Sequence, residues 1–596
     1  MPRAGTAARR AAEPVLSLEV QARMAELEPE ASVPFRVLVR HFLNRFFNNE
    51  MTSPDGEGMR RLIQVACAVG LPGFIMTIYL YPTYHLPRHH LRPYWLQVGD
   101  HYFYAVYSFV AMGIVTIFEW DFFFPHLLDT FVLTPLPIKN GWLFRARIAA
   151  IAIFVAGFLF DSNFLAPMVL PAATDARSLW RLEAAHIAAV ALSGIFAAAL
   201  VLSLQSLIVS ILGETAFRKV SLPLQGCGVT GLLLLLFLSP ATADTLKVSI
   251  GTPHLAALWF PPFWFLGIYQ RILEGPAVLP VFAQLSHISV AATAAATTMA
   301  VLCYPFAYWR KTRQIVEGRG SSVARVAIAG RVSAAIDQLL LREPMRIAMW
   351  RFIGQTLLRV QRYRIYLVMY GGLGVALVSA SVLRFAASQG QLRLEISADG
   401  LRAAVPIVAF WTIAGLRSCF LAPSDRQGMW VFRIIRGRPD YAQLVVAKHW
   451  ALICAGLFTS AVVILGRNAD PVQFSTWRIE SVQWVTTTGL CVLLADIFFF
   501  PVRTIPFTGT RPKPATYLAV VLMQYLGLFP VLIAATLRTE AWMEAAASHI
   551  VMCIATIVGL HAALRFLHRR EVAEHLQLID VDEDQEEFPQ TLGLRF

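Results

Sequence analysis

Twelve apolar stretches, each long enough to cross a bilayer, divide this chain into two sets of six at nearly constant spacing. A hydrocarbon core of about 30 Å needs roughly 20 residues of apolar helix. The expected spans are 62–81, 102–118, 148–169, 186–212, 222–240 and 285–308, then 365–385, 403–422, 449–466, 482–502, 516–537 and 546–567. Pair by pair, their starts are offset by 303, 301, 301, 296, 294 and 261 residues. The offset holds through the first three pairs and shrinks mainly in the last connection. Such a repeat reads as two fused six-helix halves of the same orientation, with a pathway between them. The predicted fold class is an all-α polytopic membrane protein of twelve transmembrane helices in two parallel repeats. Its parts are an N-terminal arm (1–61), a first half (62–308), a basic linker (309–364), a second half (365–567) and an acidic tail (568–596).

Charge sets the expected orientation. The connections fall into two alternating sets, one holding 38 Lys and Arg and the other 12, with Arg417 inside a span. The positive-inside rule then places both termini in the cytoplasm. The net charge of +13 reads as membrane topology and not as nucleic-acid binding. Arg outnumbers Lys by 45 to 6, as in GC-rich bacterial genomes, so the expected location is a bacterial inner membrane. Residues 1–30 mix Arg with Glu and lack an apolar signal-peptide core, so the first span is expected to insert as it stands. All seven cysteines lie in expected spans with no CxxC pair, which fits small apolar fillers of helix packing.

Two kinds of element punctuate the basic side. Before the first span, 33–47 places Phe35, Val39, Phe42, Leu43, Phe46 and Phe47 along one helical face, with Arg36, Arg40 and Arg45 directed away. This predicts a helix lying in the membrane interface. A counterpart, 334–364, precedes the seventh span; an ordinary juxtamembrane anchor is the bland alternative, and one before each half favours a shared architectural role. Between spans two and three, 119–147 carries Pro125, Pro135 and Pro137, so it reads as a short kinked element. Its equivalent in the second half is 423–448. Candidate docking contacts for a partner are Trp120, Asp121 and Asp129 in the first, and Arg433, Arg436 and Asp440 in the second. On the other side, 241–284 is too apolar for an open loop and reads as a re-entrant hairpin interrupted at Pro261 and Pro262.

Ionisable residues within spans are costly and mark functional candidates: Asp161, Arg417 and Asp496. A structural ion pair is the plainer reading of each. Glu119 and Asp121 sit at a span end. His85, His89, His90, Asp100 and His101 crowd the outer side, where surface histidines near headgroups are commoner than a metal site; no metal or catalytic group is assigned. None of the six lysines follows a glycine, so the chain holds no Walker A site. Any ATP-driven work needs a separate ATPase.

The runs RHFLNRFFNNE (40–50) and FEWDFFFPHLLDTFVLTPLP (118–137) resemble large bacterial permeases of the ABC-2 exporter type. GLRSCFLAPSDRQGMWVFRI (415–434) and RTIPFTG (503–509) resemble the same group. The likeness covers most of the chain; where that pattern carries an acid after Phe-Pro, this chain has His126. The resemblance implies a non-enzymatic membrane subunit, with a cytoplasmic ABC ATPase in two copies docked on the elements after spans two and eight. It implies no cofactor in this chain, ATP being held on the partner, and no nucleic-acid partner. Apolar spans favour a lipid or amphiphile as cargo. The alternatives are a multipass membrane enzyme or lipid-handling protein without an ATPase, and a structural scaffold.

Overall fold

Away from water, backbone amides are satisfied only inside helices or closed barrels. The apolar runs accordingly fold as helices in the computed structural model. It describes residues 35–47, 58–85, 92–120, 122–133, 135–136, 138–174, 178–244, 246, 258–317, 344–388, 391–421, 441–469, 476–500, 506–507 and 515–578. The helices of the first part are α1 (Phe35–Phe47), α2 (Gly58–His85), α3 (Tyr94–Phe118), α4 (Leu127–Leu133), α5 (Asn140–Thr174), α6 (Leu179–Asp244), α7 (Pro261–Glu274) and α8 (Pro280–Val316). Those of the second are α9 (Pro344–Arg359), α10 (Gln361–Val382), α11 (Ala398–Leu421), α12 (Tyr441–Ala469), α13 (Trp477–Phe499), α14 (Ala515–Ala545) and α15 (Ala547–Leu578). Proline opens α7 and α8, where its missing N–H has no helical partner to lose.

Among the described residues, ten helices or helical segments are long and apolar enough to cross a membrane, consistent with an all-α chain of multi-pass type. They coincide with ten of the expected spans. The other two expected spans, 62–81 and 516–537, fall on α2 and α14.

Side-chain contacts fix the sense of each helix. Tyr107 donates to the Val69 carbonyl and Tyr84 to Asp100, so α2 runs antiparallel to α3. Ser108 donates to the Val190 carbonyl, and Gln205 to that of Trp120, so Leu179–Leu212 runs parallel to α3. Thr242 meets Tyr102 while Gly228 lies against Ile117, so Val220–Ala243 runs back. In the second part, Gly415 approaches Tyr370, Arg402 meets Glu544, and Gly489 lies against Ile557. Direction therefore alternates among the described helices. One end of the bundle holds 118–120, 122–133, 138–144, 212–220, 308, 363, 420, 448 and 500. The opposite end holds 85, 92–94, 174, 178–179, 382–388, 391–398, 467–469, 476–480 and 540–547. The first end adjoins the connections with 38 basic residues and is called the basic end below.

Two features depart from expectation. Residues 213–221, expected as a loop, stay helical within the 66 residues of α6. The chain reverses between Gln205, bonded to Trp120, and Gly228, against Ile117, and Pro223 lies within that stretch. A β-hairpin, β1 (Leu383–Ser388) with β2 (Gln391–Ile396), rises between α10 and α11 where the sequence reading had only a connection. Between 258 and 280, α7 and a turn at Gly275, with φ of +64°, bring the chain back onto α8. Gly267 permits this packing: a Cβ there would stand 2.5 Å from Leu285 Cβ and 2.8 Å from the Ser286 amide.

The buried apolar residues form two large cores, one within 38–308 and one within 349–507. α3 and α11 are the most enclosed candidate spans, each 83% buried. The cores meet where Gly226 abuts Val368 and Gly372 abuts Thr230, placing Val220–Ala243 parallel to α10.

Candidate functional site

At the basic end the sequence of α1 buries Leu38, Phe42 and Phe46, spaced one helical turn apart on one face. Phe46 stacks on Phe154 of α5 with ring centroids 4.8 Å apart, and the Arg147 guanidinium sits 4.8 Å from the Phe42 ring centre. The expected face was partly wrong. Phe35 is exposed at its edge contact with Trp142, while Arg45, expected to point away, turns inward. A long side chain near an interface can fold back wherever a carboxylate offers more than water does.

That carboxylate is Asp129, in the first turn of α4, where an acid also complements the helix dipole. It pairs directly with Arg45, accepts a hydrogen bond from Arg147 Nη2 at 3.2 Å, and lies 3.8 Å from His41 Nε2. Asp129 therefore knots three elements: α1, the short α4 and the start of α5. Its side chain is 11% exposed and that of Arg147 only 4%. Burial, then the neighbouring Arg147, pushes the Arg45 guanidinium down to about 10, which leaves it charged at neutral pH. Burial, then Arg45 and Arg147, lowers His41 below the usual histidine range.

The turn before α4 is sealed from within. Trp120 is buried, its ring stacked with Phe217, and Tyr304 donates to the Phe123 carbonyl at 2.6 Å. Trp120 was expected as a docking contact; in this arrangement its indole has no face to present. Asp129, also expected to face a partner, is instead engaged within the chain. Asp121, Arg433, Arg436 and Asp440 lie outside the described residues.

A related arrangement stands at the basic end of the second part. Trp350 of α9 stacks on Trp450 of α12 at 4.7 Å, so α9 packs on α12 as α1 packs on α5. Lys448, 301 residues after Arg147, pairs with Asp496 of α13, whose other oxygen lies 2.7 Å from His561 Nδ1 of α15. Asp496 is thus one member of a buried, three-helix ion cluster. Arg417 is buried, with its guanidinium 5.7 Å from the Phe499 ring centre. Asp161 stands apart from both, with Oδ2 shielded from solvent and no hydrogen-bond partner. The three intramembrane candidates are therefore not gathered at one point. Phe507, from the 503–509 motif, plugs the basic end of the second core among Phe352, Tyr363 and Phe420. Its φ of 66° is unusual for a non-glycine residue.

At the opposite end, Asp100 is clasped by Arg92 through two bonds of 2.7 Å and by Tyr84 at 2.8 Å. His101 lies 2.9 Å from Gln270 and stacks on Tyr269. Among the described residues no three His, Cys, Asp or Glu side chains are grouped for a metal. The sequence reading missed Glu540, placed in a short outer connection but completely buried. Its signal was the Glu540/Glu544 pair at helical spacing, which continues α14 past the apolar stretch.

No family model, curated protein or solved structure matches this chain.

Proposed function

We propose that the chain is the membrane-spanning subunit of an ATP-binding-cassette exporter, with twelve spans in two fused, parallel halves and both termini in the cytoplasm. The observation that carries this reading is the Asp129 knot, which ties an interfacial helix and a short helix between spans to the start of α5. A force applied to α4 or α1 from the aqueous side is transmitted to a membrane helix through buried charge and stacked rings, without a flexible joint. Conformational coupling requires contacts of this kind, which differ between two states. The parallel sense of Val220–Ala243 and α10 supports the two-half layout. The ATPase is a separate cytoplasmic protein in two copies, the chain itself lacking Gly-Lys. The cargo proposed is an amphiphile or lipid-like molecule, and the location a bacterial inner membrane.

The test is purification of the chain from its native membrane, with identification of co-purifying proteins that carry GxxxxGK[ST]. Stoichiometric recovery of such an ATPase, lost on Asp129→Arg while α-helix content is kept, is the expected result. Recovery of the chain alone under conditions that preserve its fold overturns the reading.

A further inference from the structure

Far from the Asp129 knot, at the opposite end of the bundle, three helices bury a carboxyl group with nothing to balance it. Glu540 of α14 is 0% exposed, and neither carboxylate oxygen completes a hydrogen bond. Around it lie Gln483 and Thr486 of α13, 1% and 7% exposed, with Thr487 beside them at 3%. Gln483 Nε2, Thr486 Oγ1 and Thr487 Oγ1 are likewise shielded from solvent and unbonded. A small apolar cluster, Val482, Met543 and Ile550, closes the site on the side of α15.

The cation that acts on Glu540 forms its ion pair elsewhere. Arg402 of α11 is held by Glu544, one turn further along α14, with Nη2 3.3 Å from Oε1 and Nη1 3.4 Å from Oε2. Arg478 is directed to the Glu544 carbonyl at 3.4 Å, and His549 of α15 lies against the Trp542 carbonyl at 2.7 Å. Each charged neighbour is thus committed elsewhere.

A carboxylate taken out of water without a partner takes up a proton instead. A protonated carboxyl also acquires a donor, which Thr486 and Gln483 can accept, while its carbonyl oxygen accepts from the Gln483 amide. We propose that Glu540 is a proton-binding site, which holds its proton while α11, α13 and α14 are packed as described and releases it to the outer compartment when they part. The step is a simple acid dissociation: the O–H bond breaks, the electron pair stays on the carboxylate, and water accepts the proton. Glu540 lies beyond the apolar stretch 516–537, and burial is the largest influence on it. Its pKa is pushed up from 4.5 to about 7, with Gln483, Arg402 and Thr486 opposing the rise and Glu544 adding to it. The side of release rests on the orientation proposed above, while the proton site itself stands apart from the exporter reading and survives its failure.

The experiment is infrared titration of the full chain in nanodiscs, following the carbonyl stretch of protonated carboxyl groups, with thermal unfolding measured in parallel. A folded-state pKa above the unfolded value means stability is present below 4.5 and lost as pH rises towards about 7. Wild type should therefore show a carbonyl band that disappears near neutral pH, and an unfolding midpoint that falls over the same range. Glu540→Gln should lack that band and that fall. Gln483→Leu removes a neighbouring amide that favours the charged form, so it should move the titration to higher pH, and it tests the site if Glu540→Gln does not fold. Replacing sodium by choline should leave the titration unchanged. A band that persists in Glu540→Gln, an unmoved titration in Gln483→Leu, or a midpoint that follows sodium would each overturn the proposal, the last in favour of a metal cation.

Discussion

Replacing Asp129 by Asn keeps the shape of the side chain and removes the charge that two arginines share. In the folded chain Arg147 is then left 4% exposed, facing Arg45 at 21%, with no anion between them. Removing one partner of a buried pair costs about 3–5 kcal/mol. Because Arg45 retains some access to water, the lower end, about 3 kcal/mol, applies here. That cost falls on the local opening of α1, whose remaining hold is the Leu38, Phe42 and Phe46 face. Opening should therefore become roughly 100-fold more frequent, since each 1.4 kcal/mol is about a factor of ten. Hydrogen–deuterium exchange of a peptide covering 35–47 reads this directly. The expected result is exchange about two orders of magnitude faster in Asp129→Asn, with peptides from α11 and α13 unchanged. Exchange within about threefold of wild type, less than 1 kcal/mol, would refute the view that buried charge holds α1 in place.

The same knot should respond to acid. His41 has a lowered pKa, so its stability contribution is present above 6.5 and is lost as pH falls below that value; exchange of 35–47 should accelerate in mild acid and His41→Gln should flatten the response. Gly267→Val should disrupt the α7–α8 hairpin by overpacking, at about 1–3 kcal/mol, and an unchanged unfolding midpoint in detergent would count against the close approach. Phe507→Ala should open the basic end of the second core at about 3–5 kcal/mol, seen as a lowered midpoint that Phe507→Tyr does not reproduce. The purified chain should hydrolyse no ATP, so activity that persists in a preparation free of other proteins would overturn the need for a partner.

What the sequence could and could not reveal follows from the range of the forces involved. Apolar runs report helices one at a time, because burial in hydrocarbon depends on local composition; the spans therefore emerged close to their positions. The alternation of Leu392, Leu394 and Ile396 with Gln391, Arg393 and Glu395 was an equally local strand signal. It went unread because it abuts a span. Partnership of charges is different, since it depends on which helices meet. Arg45 counted as a solvent-facing cation until α4 brought Asp129 beside it. Asp496 looked isolated until α12 and α15 supplied Lys448 and His561.

The repeat offset could have bridged that gap. Arg147 and Lys448 stand 301 residues apart, the same interval as the expected spans two and three, and they lie near the starts of α5 and α12. Their acids are not equivalent: Asp129 comes from the short helix before the span, and Asp496 from the span after it. The two ion clusters therefore secure different neighbours. The first binds an interfacial helix to α5, and the second binds α12, α13 and α15 to one another. A displacement imposed at the basic end would reach a single helix in the first half and a three-helix block in the second. On the proposed two-half layout the two parts respond unequally, so Asp129→Asn should free α1 locally, whereas Asp496→Asn should loosen exchange along α12, α13 and α15 together. Loosening confined to α13 alone would show that the second cluster is no block, and the inequality between the halves would fall with it.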